Sequence, residues 1–215
     1  MAHLEDRIGA IAIRGRFTPE LLQRFRTWVE TAPDEALFRI NPVQFASSFG
    51  VSENEAIDLF VHAAHAGIFD LAWGKVCGLC GAYLTRPEGM RATGEELPCA
   101  PCETTVAGSL DDDVEATFTI SESIRHIRFH DEEVRDQRDF FHAYVAPSAR
   151  PSQEYTDFIN DWWITPITLG PSATVVSDLD LDEGEYTFFT FDAHVASKIF
   201  VKAGAPTRAE IDIFD

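Results

Sequence analysis

Positive charge is scarce in this chain: 17 Lys and Arg stand against 36 Asp and Glu over 215 residues, for a formal net charge of −19. A surface this anionic repels nucleic acid and anionic membranes, so neither is expected as a partner. The imbalance is uneven. Residues 1–40 carry six Arg (7, 14, 16, 24, 26 and 39) against six acids, and eleven basic and thirty acidic residues follow. That surplus either keeps the chain in solution, meets a basic protein partner, or gathers cations at acidic turns. Long apolar runs are missing too, with none near the ~18 residues of a spanning helix. The start, Met1-Ala-His-Leu-Glu-Asp-Arg7, lacks the basic-then-apolar order of a secretory signal, so a cytoplasmic address is expected. Also lacking are a phosphate-binding glycine loop, a nucleophile elbow and an H-E-x-x-H pair, the usual marks of an enzyme site.

Cysteine is rare, and its placement is informative. The four cysteines fall in two pairs, Cys77-Gly-Leu-Cys80 and Cys99-Ala-Pro-Cys102, eighteen residues apart. Two residues between cysteines let one tight turn present both sulfurs to one metal, and Gly78 and Gly81 supply backbone freedom there. The excursion is long enough for a short hairpin that returns the second pair to the first. Four thiolates at about 2.3 Å fill a tetrahedral zinc site and leave no position for water or substrate. Two disulfides or a redox pair are the alternatives, but a reducing compartment favours metal. One structural Zn²⁺ per chain, held by Cys77, Cys80, Cys99 and Cys102, is expected.

Before the cysteines the pattern is helical. Thr18-Pro19-Glu20 opens a helix with a capping Thr, Pro at the first position and an acid in the first turn. Leu21, Leu22, Phe25, Trp28 and Val29 give it an apolar stripe. Asn41-Pro42 opens a short helix, and Ser52-Glu53-Asn54-Glu55 is a capping box for a third. That helix turns Ala56, Leu59, Phe60, Ala63 and Ala64 inward and stops at Gly67. Residues 68–73 read as a strand. Helix, turn, helix, strand is winged-helix order. The exposed positions of this third helix, the second of the helix-turn-helix pair, are however Glu53, Asn54, Glu55, Asp58, His62 and His65, without the Lys or Arg that phosphate contacts require.

From Val114 the period becomes two. Candidate strands run over 114–120, 124–129, 140–145, 173–177, 186–191, 195–202 and 209–214. In 195–202, Val195, Ser197, Ile199 and Val201 face one way, Lys198 and Lys202 the other. The expected class is therefore α+β: a winged-helix-like helical domain (1–73), a Cys₄ zinc ribbon (74–110) and an antiparallel β-sandwich or jelly roll (111–215).

Other groupings are weak. Asp178-x-Asp180-x-Asp182-Glu183-Gly184 starts like a calcium loop, but its glycine comes one position late and Phe189 stands where the closing Glu belongs. His126 and His130 would share a strand face with no third ligand. His62 and His65 also lack one, and Trp162-Trp163 reads as packing rather than a ligand platform.

The runs Ile40-Asn-Pro-Val-Gln-Phe-Ala46 and Glu55 to Trp73, followed by Cys77-x-x-Cys80, resemble a domain of unknown function. That domain lies N-terminal to the catalytic domain in some bacterial adenylate/guanylate cyclases. The likeness continues through Cys99-x-x-Cys102, Leu110 to Phe118 and the turn before Tyr186, over about residues 35–200. It is most specific from Ala63 to Cys80. The resemblance implies a regulatory or sensory module. The chain ends at Asp215 with no cyclase domain, so nucleotide cyclisation is not expected of it. The function expected is a non-enzymatic, zinc-stabilised interaction or regulatory module with a protein partner, its acidic turn at Asp178, Asp180 and Asp182 offered to that partner. A small-molecule sensor using a β-sandwich pocket and a metal-dependent enzyme are the alternatives.

Overall fold

Helices begin where their caps place them. In the computed structural model, which describes residues 2–84, 96–99, 101–102, 104–106, 113–131, 134–167, 172–190, 195–206, 208 and 210–211, helix α2 spans Pro19–Thr31. Thr18 accepts the Leu21 amide at 3.2 Å to cap it. Asn41 Oδ1 accepts from Val43 and Gln44 to start α3 (Pro42–Phe49), and Ser52 accepts from Glu55 to start α4 (Glu53–His65). Gly67 sits at φ 76°, the left-handed conformation that ends a helix, and its carbonyl accepts from Arg7. Arg7 belongs to α1 (Ala2–Arg14), which the sequence reading did not anticipate. Leu4 and Ile11 seal α1 onto α2 and α4.

The apolar stripes of these helices meet in one aromatic core. Phe60 is fully buried at its centre, with ring centroids of Phe45, Phe69 and Phe118 at 4.9, 5.2 and 5.2 Å. Phe25 and Trp28 complete the cluster at 5.8 and 6.3 Å from Phe60. Phe69 and Phe118 come from the strands. Strand β1 (Phe69–Lys75) pairs antiparallel with β4 (Val114–Ile120), from Phe69 opposite Ile120 to Lys75 opposite Val114. Ile40 bridges Phe118 with two backbone hydrogen bonds of 2.8 and 3.0 Å. One ladder therefore joins the segments on either side of residues 73 and 110.

Both faces of β4 are covered, and they differ in chemistry. Phe118 and Ile120 enter the aromatic core. Glu115 and Thr117, on the alternate face, are buried polar residues, and Thr119 Oγ1 accepts the Arg39 amide at 3.1 Å. Between β1 and β4 the chain makes a small antiparallel pair, β2 (Leu97–Cys99) with β3 (Thr104–Val106). Further on, β5 (Gly184–Thr190) pairs with β6 (Val195–Val201), and here the expected alternation holds: Ser197, Ile199 and Val201 are half-buried, Lys198 and Phe200 exposed.

Three expected strands are not strands. Residues 124–129 form a turn and the start of a 3₁₀ segment (Arg128–Asp131), held to the core by side chains rather than by a ladder. Arg125 reaches the Ala32 carbonyl at 2.7 Å and Asp34 at 2.9 Å, and His130 Nε2 donates to the Ile120 carbonyl at 2.9 Å. Residues 140–145 lie mostly in helix α5 (Gln137–Tyr144), capped by Asp136, with Phe140 against Tyr144 at 5.5 Å. A short run as aromatic as Phe140-Phe-His-Ala-Tyr144 fits either period; the cap and the ion pair between Arg128 and Asp139 select the helix. Residues 173–177 are not in a strand, a further helix α6 covers Gln153–Asn160, and the segment 209–214 lies largely outside the described residues. The class is α+β with small antiparallel sheets. Among the described residues each sheet has two strands and none closes, so they do not form the expected sandwich.

Candidate metal centre

Two short turns deliver the four sulfurs. Strand β1 runs on into the first: Val76 bridges Tyr83, the Cys77 amide donates to the Ala82 carbonyl at 2.8 Å, and the Gly81 amide to the Cys77 carbonyl at 2.8 Å. Gly81 makes this turn possible, at φ 74°. Gly78, expected to share that role, is not among the glycines with positive φ. The second turn follows β2, with Cys99 opposite Thr104 and Cys102 between the strands.

All four Sγ atoms lie within 4.8 Å of one another. Cys77–Cys102 is 3.9 Å and Cys80–Cys99 3.6 Å. A disulfide requires about 2.05 Å, whereas sulfurs 2.3 Å from a common tetrahedral centre stand about 3.8 Å apart. The arrangement is that of ligands around one ion, and it can hold a metal. Cys77 and Cys99 are buried and pack with Leu84, flanked by Leu97 and Val106.

The thiols answer to opposing influences. Burial raises the Cys77 thiol, but backbone amides of Cys80 and Leu79 bring it below its ordinary value. Burial and the neighbouring cysteines push Cys99 well up, and Cys102 up to about 11. Four crowded sulfurs resist joint ionisation by themselves, and a dication reverses that balance.

Among the described residues no other group of three potential ligands converges. Asp178, Asp180 and Asp182 are brought together neither with one another nor with a third-party ligand, and all are exposed. His126 pairs instead with Glu122 (3.2 Å) and Asp131 (2.9 Å). Trp162 is exposed, and Trp163 packs on Phe140 at 5.3 Å.

The first cysteine turn is strapped to the rest of the molecule. The Ala146 amide donates to the Gly81 carbonyl at 2.9 Å, the Tyr83 amide to the Tyr144 carbonyl at 2.9 Å, and Ala82 bridges Val145. Glu115 holds the strap from below: its carboxylate accepts from Asn41 Nδ2 at 2.6 Å and Ser148 Oγ at 2.7 Å. Sequence reasoning missed this polar layer, because its members are scattered from residue 39 to residue 150 and share no motif.

A family model matches residues 6–213 of the chain. The chain belongs to DUF5939, a family of unknown function. No curated protein and no solved structure matches it. No helix of this DUF5939 member, among the described residues, is long and apolar enough to cross a membrane.

The polar layer has a measurable pH signature. Burial, reinforced by the charge of Arg150, lowers His142 to about 4, although Glu35 and Asp139 pull the other way. The unfolded chain takes up a proton near pH 6.5 that the folded chain refuses. Stability from neutral burial is thus complete above pH 6.5 and declines as pH falls toward 4, by up to about 3 kcal/mol. Urea unfolding of the wild type and of His142→Gln at pH 7 and pH 4.5 is expected to show the shallower pH dependence in the variant. Identical pH dependence would exclude His142 as the titrating group.

Proposed function

We propose that this protein is a non-enzymatic regulatory or interaction module stabilised by one Zn²⁺. The observation carrying this reading is the closed set of four cysteine sulfurs: all four tetrahedral positions are taken by protein, so a bound zinc meets neither water nor substrate. Zinc is the ion proposed because a thiolate tetrahedron on two C-x-x-C turns suits its size and its lack of geometric preference. Helices α2 to α4 followed by β1, with Ile40 bridging β4, support a winged-helix-like reading of the N-terminal part. Helix α4 carries Glu53, Asn54 and Asp58 exposed and no Lys or Arg, which suits protein contact rather than DNA. The resemblance to the region preceding cyclase catalytic domains points to regulation as the role, with a basic protein surface as the partner of the acidic turn at 178–182.

Elemental analysis of protein purified under reducing conditions is expected to return one zinc per chain, with no cyclic nucleotide formed from ATP or GTP. Capture from native lysate on the immobilised chain, followed by mass spectrometry, identifies the partner. Association with it is expected to slow with added salt, over a screening length of about 8 Å at physiological ionic strength, and with Asp178, Asp180 and Asp182 changed to Asn. An on-rate indifferent to both changes would remove the acidic turn from the interface. Cyclic nucleotide production abolished by a point substitution in this chain would overturn the non-enzymatic reading.

A further inference from the structure

A cavity of about 330 Å³ opens between residues 35–48 and residues 142–150. Its lining combines the aromatic side chains of Trp28, Phe38 and Phe45 with the nitrogen-bearing side chains of Arg39, His142 and Arg150. We propose that this cavity is a binding site for a small organic carboxylate with a flat apolar body. The proposal is independent of the metal centre.

Charge is the first support. In a chain of net charge −19, two guanidinium groups line one small cavity. Burial, with a smaller contribution from the charge of Arg39, lowers Arg150 to about 10, although Tyr83 and Glu115 pull the other way. Glu35 is the acid on the lining and burial keeps His142 neutral, leaving the lining one positive charge in excess. Glu115 is not on the lining; it accepts from Asn41 and Ser148, and its charge still acts on Arg150. That balance suits a monoanion and disfavours a dianionic phosphate.

Positioning is the second support. Arg39 takes φ 45°, a left-handed conformation rare for a residue with a side chain. Its guanidinium lies 4.6 Å from the Tyr83 ring centroid and 5.1 Å from that of Phe38, and it donates to the Ala143 carbonyl. Arg150 donates from Nη2 to the His142 carbonyl at 3.3 Å. Both cations are held against the protein in place of free motion in water, as guanidinium recognition of a planar carboxylate requires.

Unmet hydrogen bonding is the third. Six buried side-chain polar atoms lack a partner among the described residues, and two of them, Arg150 Nε and His142 Nδ1, belong to residues that line this cavity. Buried polar atoms are normally paired. Two such atoms on lining residues leave hydrogen-bonding capacity that a polar ligand can meet. The volume falls at the small end of ligand pockets, which run from about 300 to 1,000 Å³.

The test is calorimetric titration of the full chain with benzoate, alongside its neutral isostere benzamide and inorganic phosphate. Benzoate is expected to bind saturably, and benzamide at least about tenfold more weakly, the effect of losing one charge-assisted contact. Arg150→Met is expected to cost a similar factor. Because that variant alters a buried layer, Ser48→Phe provides a second arm. Ser48 lines the cavity but is exposed, so a bulky side chain there obstructs the cavity without entering the core. Its melting curve is expected to match the wild type while benzoate binding is lost. Absence of saturable benzoate binding, equal affinity for benzamide, unchanged binding in Ser48→Phe, or binding of phosphate in preference to benzoate would each overturn the proposal.

Discussion

Replacing any one of Cys77, Cys80, Cys99 or Cys102 with serine is expected to abolish metal binding and to lower the melting temperature by about 8 °C or more, on the order of magnitude that structural zinc sites contribute. Apparent zinc-binding free energies in small Cys-rich domains are about 10–16 kcal/mol at neutral pH, comparable with the whole stability of a typical domain, about 5–15 kcal/mol. Even a third of that, about 4 kcal/mol, corresponds to a fall of roughly 8–16 °C in a chain of this size. The reason for a large effect lies in what surrounds the sulfurs. Among the described residues, the cluster around Cys77 and Cys99 comprises Leu84, Leu97, Val106 and the other two cysteines, a small apolar group for which a bound ion would be the main support. A strong chelator is expected to reproduce the effect in the wild type and zinc to reverse it. Metal-free protein that melts at the same temperature as the metallated form would refute the structural role.

Gly81→Ala is expected to be the second most damaging change, at about 2–5 kcal/mol. Roughly 1–2 kcal/mol comes from forcing a side chain into the left-handed conformation and 1–3 kcal/mol from overpacking. The overpacking is specific: a Cβ at Gly81 would stand 2.1 Å from the Ala149 Cβ. Gly78→Ala is the control, since its Cβ would make only an ordinary 3.5 Å contact with Asp113. Ala149→Gly should recover the overpacking part of the Gly81→Ala loss but not the backbone part, a non-additivity that a double-mutant cycle in urea resolves. A Gly81→Ala loss within about 0.5 kcal/mol, the range of ordinary surface changes, would show that the strap yields.

How much of this could be read beforehand depends on whether the signal was local. The caps at Thr18, Asn41 and Ser52 and the stop at Gly67 are self-contained in a few residues, and each appears where expected. The two C-x-x-C pairs are local motifs as well, and the structure brings all four sulfurs together. Where the outcome depended on distant partners, the sequence misled. Residues 124–129 alternate like a strand, yet Arg125 and His130 fasten them to carbonyls of Ala32 and Ile120 instead of to a neighbouring strand. Residues 140–145 have β-like composition, but Asp136 and Arg128 commit most of them to a helix. The cavity between Arg39 and Arg150 left no local trace, because its two cations are more than a hundred positions apart and one is placed by a backbone conformation that composition does not reveal.

The pairing of Lys75 with Val114 also bears on how the chain reaches its native state. About forty residues lie between these partners, and a loop of that length resists closure by an entropic term that grows with the logarithm of its length. The cysteines sit inside that loop. An ion that gathers Cys77 with Cys102 draws the two flanking strands toward register before any of their own hydrogen bonds form, so capture of the metal ahead of sheet formation would shorten the search. An ion bound by these four sulfurs would thus act on the order of assembly as well as on the finished structure, with β1 waiting on a strand that the cysteines help bring home.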